Sequence, residues 1–339
     1  MITICNHKIV MNIYIPYELL DNILSFLSSP YPDLFNVMRV NKSWYDIGSD
    51  NYKQRIKLVD PTPDALALAV NSSCSGDTIM LKPGYHTLTQ ELSIELPLKL
   101  IGIESNIPVV ISSRTYVMIR TRSQVYMNNL TLCRIGNEIG FPPAVVLAEI
   151  SHLQIDNCRI TCGGDICCPD LALLYAFKGH SASSVIQKLY RKHIGKTTCS
   201  REFNMTRSQE RPQAGLCVMI AASVLMNKCH ISSMLGPAIK VYRGEFEAYD
   251  SVFEYSKRGA NIIINGGKIS LYRNVIRNSF CNGISSWSNS CVHMERNYIH
   301  SNNGIGIEIN SEMKYVKMVD NRVVNNKMNI LFGIRNLCC

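Results

Sequence analysis

The C-terminal part of the chain repeats a short unit at a nearly constant interval, and this constrains the fold more than any other feature of the sequence. The interval is 23 or 24 residues between the cores of four successive units, which contain Ser251, Asn274, Asn297 and Asn321. A constant period of roughly 20 to 50 residues is typical of stacked architectures, in which each unit is buried by its neighbours. The sequence therefore predicts a stack of similar units.

Each unit contains short runs in which apolar residues alternate with other residues. Ile305, Ile307 and Ile309 alternate in this way, as a β-strand with one buried face requires. Glycine and asparagine recur between the runs, and the Leu-x-x-Leu-x-Leu signature of leucine-rich repeats is absent. The period and the short strands predict parallel β-coils over residues 76–333, with Ile, Val and Leu pointing inward. We expect the recurrent Asn residues to take turn conformations or to stack as a ladder.

Residues 59–75 are predicted to be a linker and a capping helix. Asp64 follows two prolines and is placed to cap a short helix that carries Leu66, Leu68 and Val70. The open end of a stack of strands has to be covered, because unpaired strand edges invite aggregation. A helix here would meet that need.

Residues 12–58 have helical rather than strand periodicity. Pro16 stands at a helix start, where its missing N–H costs nothing. Apolar residues then recur at helical spacing, at Leu19, Leu20, Ile23, Leu24 and Leu27. Prolines break this helix after Leu27, and two further helices are predicted, the last of which carries Trp44. One interpretation is a generic three-helix cap on the domain that follows.

The order of residue types in this segment resembles an F-box. It begins Ile15-Pro16-Tyr17-Glu18-Leu19-Leu20 and ends Val40-Asn41-Lys42-Ser43-Trp44, with two departures, since Leu is more usual than Ile15 and Cys or Ser is common in place of Asn41. The resemblance implies a surface for a Skp-type adaptor, and through it for the cullin and RING subunits of a ubiquitin ligase. The implied adaptor-binding residues are Ile15, Pro16, Leu19, Leu20, Ile23, Leu24, Leu27 and Trp44.

The repeats resemble the pectin-lyase-like superfamily, and the whole chain is similar to F-box proteins that carry such repeats. The implied fold is a small all-α F-box module followed by an all-β right-handed parallel β-helix. The implied function is that of a non-catalytic substrate receptor of an SCF-type (cullin-RING) ubiquitin ligase. Because the superfamily includes polysaccharide lyases and hydrolases, a carbohydrate-active enzyme is an alternative, as is a scaffold that binds the adaptor alone.

The repeat pattern lapses over residues 165–213, where basic residues accumulate. Such a stretch can bind an acidic or phosphorylated target through its cations, or can be a solvated loop. Aromatic residues are sparse there, which disfavours stacked single-stranded nucleic acid, and no nucleic-acid partner is expected. The candidate target-binding residues are Lys188, Arg191, Lys192, Arg201 and Arg207.

The remaining candidates for chemistry are weaker. Four cysteines crowd residues 158–168 without the paired spacing of a zinc site, so no metal or cofactor is expected. Four carboxylates, Asp250, Glu295, Glu308 and Asp320, are of the type that cleaves sugars but form no recurrent face, so no catalytic residue is predicted. The chain has 14 cysteines and no secretory or membrane-spanning pattern, which predicts reduced thiols in the cytoplasm or nucleus. Terminal Cys338-Cys339 is one form of prenylation signal, but no membrane partner is expected.

Overall fold

The computed structural model describes residues 2–5, 8–11, 55–115, 117–135, 144–163, 214–232, 234, 236–310 and 314–333. Strands β1 (Ile2–Cys5) and β2 (Lys8–Met11) form an antiparallel hairpin. The helices predicted within residues 12–58 fall on 12–54, which lie outside the described residues. Strand β3 (Ile56–Val59) pairs in parallel with the first strand of the repeats.

The described repeats build a right-handed parallel β-helix of about nine turns, which confirms the predicted architecture of this part of the chain. Each turn contributes one strand to each of three parallel sheets, connected by three corners. We call them sheet 1, sheet 2 and sheet 3 in chain order. The sequence folds this way because each strand has one apolar side that only the neighbouring coils can bury.

Sheet 1 contains β4 (Thr78–Leu81), β7 (Leu98–Gly102), β10 (Gln124–Asn128), β13 (His152–Asp156), β16 (Ser223–Asn227), β19 (Glu245–Tyr249) and β26 (Tyr315–Val319). Sheet 2 contains β5 (Gly84–Leu88), β8 (Val109–Ser113), β11 (Thr131–Ile135), β14 (Arg159–Gly163), β17 (His230–Ser232), β20 (Val252–Glu254), β22 (Val275–Arg277), β24 (Tyr298–His300) and β27 (Arg322–Val324). Sheet 3 contains β6 (Leu92–Ile94), β9 (Val117–Thr121), β12 (Ala144–Ala148), β15 (Ala214–Val218), β18 (Ile239–Tyr242), β25 (Ile305–Ile309) and β28 (Met328–Phe332). Two long strands, β21 (Ile262–Tyr272) and β23 (Ile284–Glu295), run through a corner and serve sheet 3 first and sheet 1 afterwards.

The core is a set of apolar columns that run along the axis of the β-helix. In the middle of sheet 2, Ile231, Phe253, Ile276 and Ile299 lie in register on successive coils, and all four are fully buried. Residues on either side of this column, such as Val275 and Arg277, therefore point outward. The 23-residue period thus places residues of successive units side by side on the same face.

A helix, α1 (Ala65–Asn71), packs on the N-terminal end of the stack. Leu66 and Val70 are buried, whereas Leu68 is 70% exposed. The expected side-chain cap at Asp64 is wrong, because its backbone is left-handed, with φ 56°, and its carboxylate makes no bond to the helix. The carboxylate instead accepts hydrogen bonds from the backbone N–H and the hydroxyl of Thr89, at 2.8 and 2.7 Å. Asp64 therefore links the start of the helix to Thr89, directly after strand β5, and does not cap the helix.

No described residue covers the C-terminal end of the stack. Ile330 and Phe332 on the last strand are 37% and 53% exposed, although they follow the buried Ile307 and Ile309 of the preceding coil, and Met328 is 48% exposed. Strand β28 pairs with β25 on one side, and no other described strand pairs with it. The two ends of the β-helix therefore differ, with a helix on one and exposed apolar residues on the other.

The corner between sheets 1 and 2 contains the predicted asparagine ladder. Asn274 donates its backbone and side-chain N–H to Oδ1 of Asn297, at 2.9 and 3.1 Å, and Asn297 donates in the same way to Asn321, at 3.0 and 2.9 Å. The first rung is Ser251, whose N–H donates to Oδ1 of Asn274 at 2.9 Å. Asn274 and Asn297 are each 1% exposed, so the ladder satisfies polar groups inside the stack.

The turn conformation falls on a different residue from the one expected. In these coils the left-handed backbone belongs to the residue before each ladder Asn, at Arg273, Arg296 and Asp320, with φ of 55°, 54° and 52°. The Asn side chain points into the corner because the preceding residue makes the bend. At this corner an asparagine itself takes the bend in two earlier coils, at Asn129 and Asn157, and in the C-terminal coils Asn278 and Asn325 take the left-handed conformation at the following corner.

Candidate functional site

The residues that the sequence singles out for binding lie outside the described part of the chain. They are the adaptor-binding set (Ile15, Pro16, Leu19, Leu20, Ile23, Leu24, Leu27 and Trp44) and the basic set (Lys188, Arg191, Lys192, Arg201 and Arg207). Both sets therefore stay predictions. Among the described residues, the candidate binding surfaces are the outer faces of the β-helix, where side chains from successive coils come together.

A shallow groove of about 350 Å³ runs over the outer face of sheet 1 in the C-terminal coils. Tyr272 and His293 line it, and their rings meet edge-on at 5.2 Å, while the ring of Tyr249 beside the groove stacks on Tyr272 with centroids 4.8 Å apart. A second depression of about 490 Å³ adjoins it on the N-terminal side, and the two share Ser223 and Leu225. Sheet 1 therefore carries an extended concave surface with an aromatic row.

Some polar side chains in and beside this groove form hydrogen bonds with one another. The hydroxyl of Tyr249 donates to Glu247, and this bond together with burial raises the pKa of Tyr249 to about 12. The hydroxyl of Tyr272 lies 3.1 Å from Nδ1 of His293. Glu245 and Lys268 lie side by side on adjacent coils, in the column next to this row. The groove thus offers ring faces, a carboxylate and an ammonium to a ligand.

The four carboxylates considered for sugar cleavage do not come together. Asp250 accepts two hydrogen bonds from Arg273 at 2.8 Å on the corner between sheets 1 and 2. Glu308 on sheet 3 accepts from Asn282 and Ser285 at 2.8 Å. The other two, Glu295 and Asp320, lie at the end of sheet 1 and on the adjoining corner. Asp250 and Glu308 each bind a neighbouring coil, on different parts of the surface, and the four carboxylates do not form a shared reaction centre.

A buried carboxylate on the outer face of sheet 2 was missed in the sequence. Glu254 is 2% exposed, accepts a hydrogen bond from Nε of Arg277 at 2.7 Å and lies 2.8 Å from Nε2 of His230. Burial by itself would raise the pKa of Glu254, but the hydrogen bond to His230 and the charges of His230 and Arg277 outweigh it and lower the pKa. The 23-residue spacing of Glu254 and Arg277 is the signal that could have paired them.

Four of the described cysteines are buried in the stack, namely Cys133, Cys158, Cys217 and Cys229. The Sγ of Cys229 lies 3.5 Å from the backbone nitrogen of Cys158 and 3.3 Å from the carbonyl oxygen of Ile155. Burial raises the pKa of Cys229 to about 12 and that of Cys217 to about 11, and it raises the pKa of Cys158 well above its ordinary value. These thiols are therefore protonated near neutral pH and pack as small apolar groups.

This predicts selective alkylation of the native protein. Iodoacetamide under mildly alkaline conditions should modify Cys74, Cys281 and Cys291, which are exposed or half-buried, and should spare Cys158, Cys217 and Cys229, because only an accessible thiolate reacts. Peptide mass spectrometry with and without denaturant measures this. Equal labelling of these six cysteines in the native protein would contradict the described burial.

No helix among the described residues is long and apolar enough to cross a membrane.

Two protein families match different parts of the chain. The F-box-like family matches residues 13–56, and the family described as right handed beta helix region matches residues 194–336. A search of curated proteins gives no match to the chain.

Several solved structures are similar to the chain. The A-module of mannuronan C-5 epimerase AlgE6 from Azotobacter vinelandii is 12% identical, with 79% of this chain and 74% of that chain covered and a TM-score of 0.44. The PL6 family alginate lyase AlyGC is 9% identical, with 81% of this chain covered and a TM-score of 0.39. Only 39% of the lyase is covered, so this chain spans well under half of its length. At these identities and TM-scores, nothing about the activity of this chain follows from either likeness.

The family matches and the described coils agree on the order of the parts. The segment matched by the F-box-like family ends where strand β3 begins, and the β-helix follows without a break. The chain therefore carries an F-box-like domain in its N-terminal part, followed by a right-handed β-helix.

Proposed function

We propose that this protein is the substrate-recognition subunit of an SCF-type (cullin-RING) ubiquitin ligase in the cytoplasm or nucleus. The observation that carries this proposal is the F-box-like match at residues 13–56, placed directly before the β-helix. The apolar stripe from Leu19 to Leu27 binds a Skp-type adaptor, and the adaptor joins it to the cullin and RING subunits. An outer face of the β-helix binds the protein target.

In this function the protein performs no covalent chemistry itself. It raises the effective concentration of target lysines near the ubiquitin thioester that the partners hold. The β-helix suits this role because its coils are cross-linked by three continuous parallel sheets, which fix the outer faces relative to one another. A target bound to one face is therefore held at a defined position along the stack.

The proposal predicts that adaptor binding depends on the apolar stripe. A Leu20→Ala, Leu24→Ala double variant should lose a purified Skp-type adaptor, and with it the cullin, in a pull-down, because both side chains would be buried in the interface. The matched control is Leu68→Ala, since Leu68 is a 70% exposed leucine on α1 and its truncation should leave the complex intact. Failure of the wild-type chain to recover the adaptor would refute the proposal. Recovery of the adaptor without the cullin would instead identify an adaptor-binding scaffold.

The groove over sheet 1 favours one second candidate, a carbohydrate-active enzyme. The half-buried ring of Tyr272 and the half-buried carboxylate of Glu247 line it, and they are groups of the kind that bind and cleave sugars. The purified chain would then depolymerise polysaccharides such as alginate or pectin, and Glu247→Gln would abolish this activity. Absence of any depolymerisation by the wild-type chain, under conditions where it recovers the adaptor and cullin, would exclude this candidate.

A further inference from the structure

The outer face of sheet 2 gathers basic and aromatic side chains from three successive coils. Arg277 and His300 lie in one column, and Tyr298 and Arg322 lie in the adjacent column. The rings of Tyr298 and His300 stack with centroids 4.1 Å apart. The guanidinium carbon of Arg322 lies 5.2 Å from the centroid of Tyr298. The two rings thus form a stacked pair, which we call the platform, with an arginine on the coil at each side.

The two arginines are held in different ways. The buried carboxylate of Glu254 accepts from Nε of Arg277 at 2.7 Å, which fixes the guanidinium while its terminal N–H groups keep no partner among the described residues. Arg322 is held over the ring of Tyr298 by the cation–π contact, and no described residue accepts a hydrogen bond from it. Both guanidinium groups are therefore positioned in advance and still have donors to offer.

The platform lies in a positive local field. Burial lowers the pKa of His300, and the charges of Arg277 and Arg322 lower it further against the opposing effect of Glu254. The cations thus outweigh the carboxylate at the ring. An anion placed between the two guanidinium groups would relieve this excess of positive charge.

The extent of the cluster indicates which anion it fits. Along the same two columns the flanking outward residues are Val252, Val275 and Val324, together with the acidic Glu254. A nucleic-acid strand needs a long row of phosphate contacts, and these residues interrupt any such row. Adjacent coils are roughly 5 Å apart, and one coil lies between those of Arg277 and Arg322. The backbones of the two arginines are therefore roughly 10 Å apart, a gap that two long side chains can bridge through a single phosphate.

We propose that Arg277, Tyr298, His300 and Arg322 form a binding site for one phosphorylated side chain of a protein. Planar guanidinium groups suit this ligand because each can donate two parallel hydrogen bonds to phosphate oxygens. The assignment of this phosphoprotein as the target to be ubiquitinated rests on the proposed function. Phosphopeptide binding itself does not require it.

The test is fluorescence anisotropy with the full chain and a degenerate peptide library built around one fixed phosphoserine, compared with its unphosphorylated twin. The wild-type chain should bind the phosphorylated library at least about tenfold more tightly. An Arg277→Gln, Arg322→Gln double variant should lose this preference. The matched control is Arg243→Gln, because Arg243 also lies over a tyrosine, at 5.7 Å from Tyr242, but on a distant corner of the stack.

Three outcomes would overturn the proposal. They are equal binding of the two libraries, an unchanged preference in the double variant, and tighter binding of duplex DNA than of the phosphopeptide with a steep dependence on salt. Circular dichroism melting checks that the double variant is folded, and the single Arg322→Gln variant, altered at an exposed position, should retain wild-type melting and still weaken binding. The assay contains no adaptor, so it can succeed or fail independently of the pull-down with the Leu20→Ala, Leu24→Ala variant.

Discussion

Replacing Asn297 by alanine is expected to lower the free energy of unfolding by about 3 to 5 kcal/mol, because it leaves buried polar groups without partners. The Oδ1 of Asn297 accepts both N–H groups of Asn274, and its Nδ2 donates to the carbonyl of Leu271 at 2.8 Å and to Asn321 at 2.9 Å. Asn297 is 1% exposed, so water cannot replace these bonds without opening the corner. Chemical denaturation of both proteins measures the difference.

The matched control for this prediction is Asn303→Ala on the neighbouring corner. The side chain of Asn303 is exposed, and its backbone N–H still donates to the carbonyl of Ser279 at 2.9 Å after the substitution. We expect a change within about 0.5 kcal/mol. Native-state hydrogen exchange should show the loss in Asn297→Ala as faster exchange at the amide of Asn274, since stability in stacked repeats is distributed between neighbouring units. If the two variants are equally stable, Asn297 in the ladder contributes no more to the free energy of unfolding than the exposed Asn303 does.

The asparagine ladder shows which part of the structure the sequence predicts and which part it does not. The 23-residue spacing of Asn274 and Asn297 correctly predicts that they stack, because a constant period aligns successive coils in register. The spacing does not say which residue bends the chain. Arg296 takes the left-handed conformation and leaves Asn297 free to point inward, a choice made by packing inside the corner rather than by residue preference.

The outer faces of the β-helix show the same difference between alignment, which the sequence predicts, and local contacts, which it does not. Glu254, Arg277 and His300 are spaced by 23 residues and lie in one column, so their proximity was available from the sequence once the register was known. Their burial and hydrogen-bond partners were not, because these depend on how side chains of three coils share one surface. The 23-residue spacing does not hold between β14 and β17. The two strands pair in register, yet Cys158 and Cys229 at the same corner are 71 residues apart, about three periods, so the spacing alone does not show that these two coils are adjacent.

Replacing Gly102 by alanine is expected to destabilise the N-terminal coils by about 3 kcal/mol, at the upper end of the usual cost of overpacking. A Cβ at this position would lie 2.1 Å from the backbone carbonyl oxygen of Asn129 on the next coil. That oxygen cannot move away easily. The corner residue Asn129 is left-handed, with φ 55°, its Nδ2 donates to the carbonyl of Gly102 at 2.9 Å, and its backbone N–H donates to Asp156 of the following coil at 3.2 Å.

The obstacle at Gly102 is therefore backbone that is fixed from both sides, so the coils have to separate locally to admit one methyl group. Thermal and urea denaturation should show the loss, and hydrogen exchange should place it in the coils around β7 and β10 rather than at the distant asparagine ladder. Asn106→Ala, an exposed change in the loop after β7, is the control and should leave stability nearly unchanged. If Gly102→Ala is as stable as the wild-type protein, the two coils have room for a methyl group between residue 102 and Asn129, and the prediction is wrong.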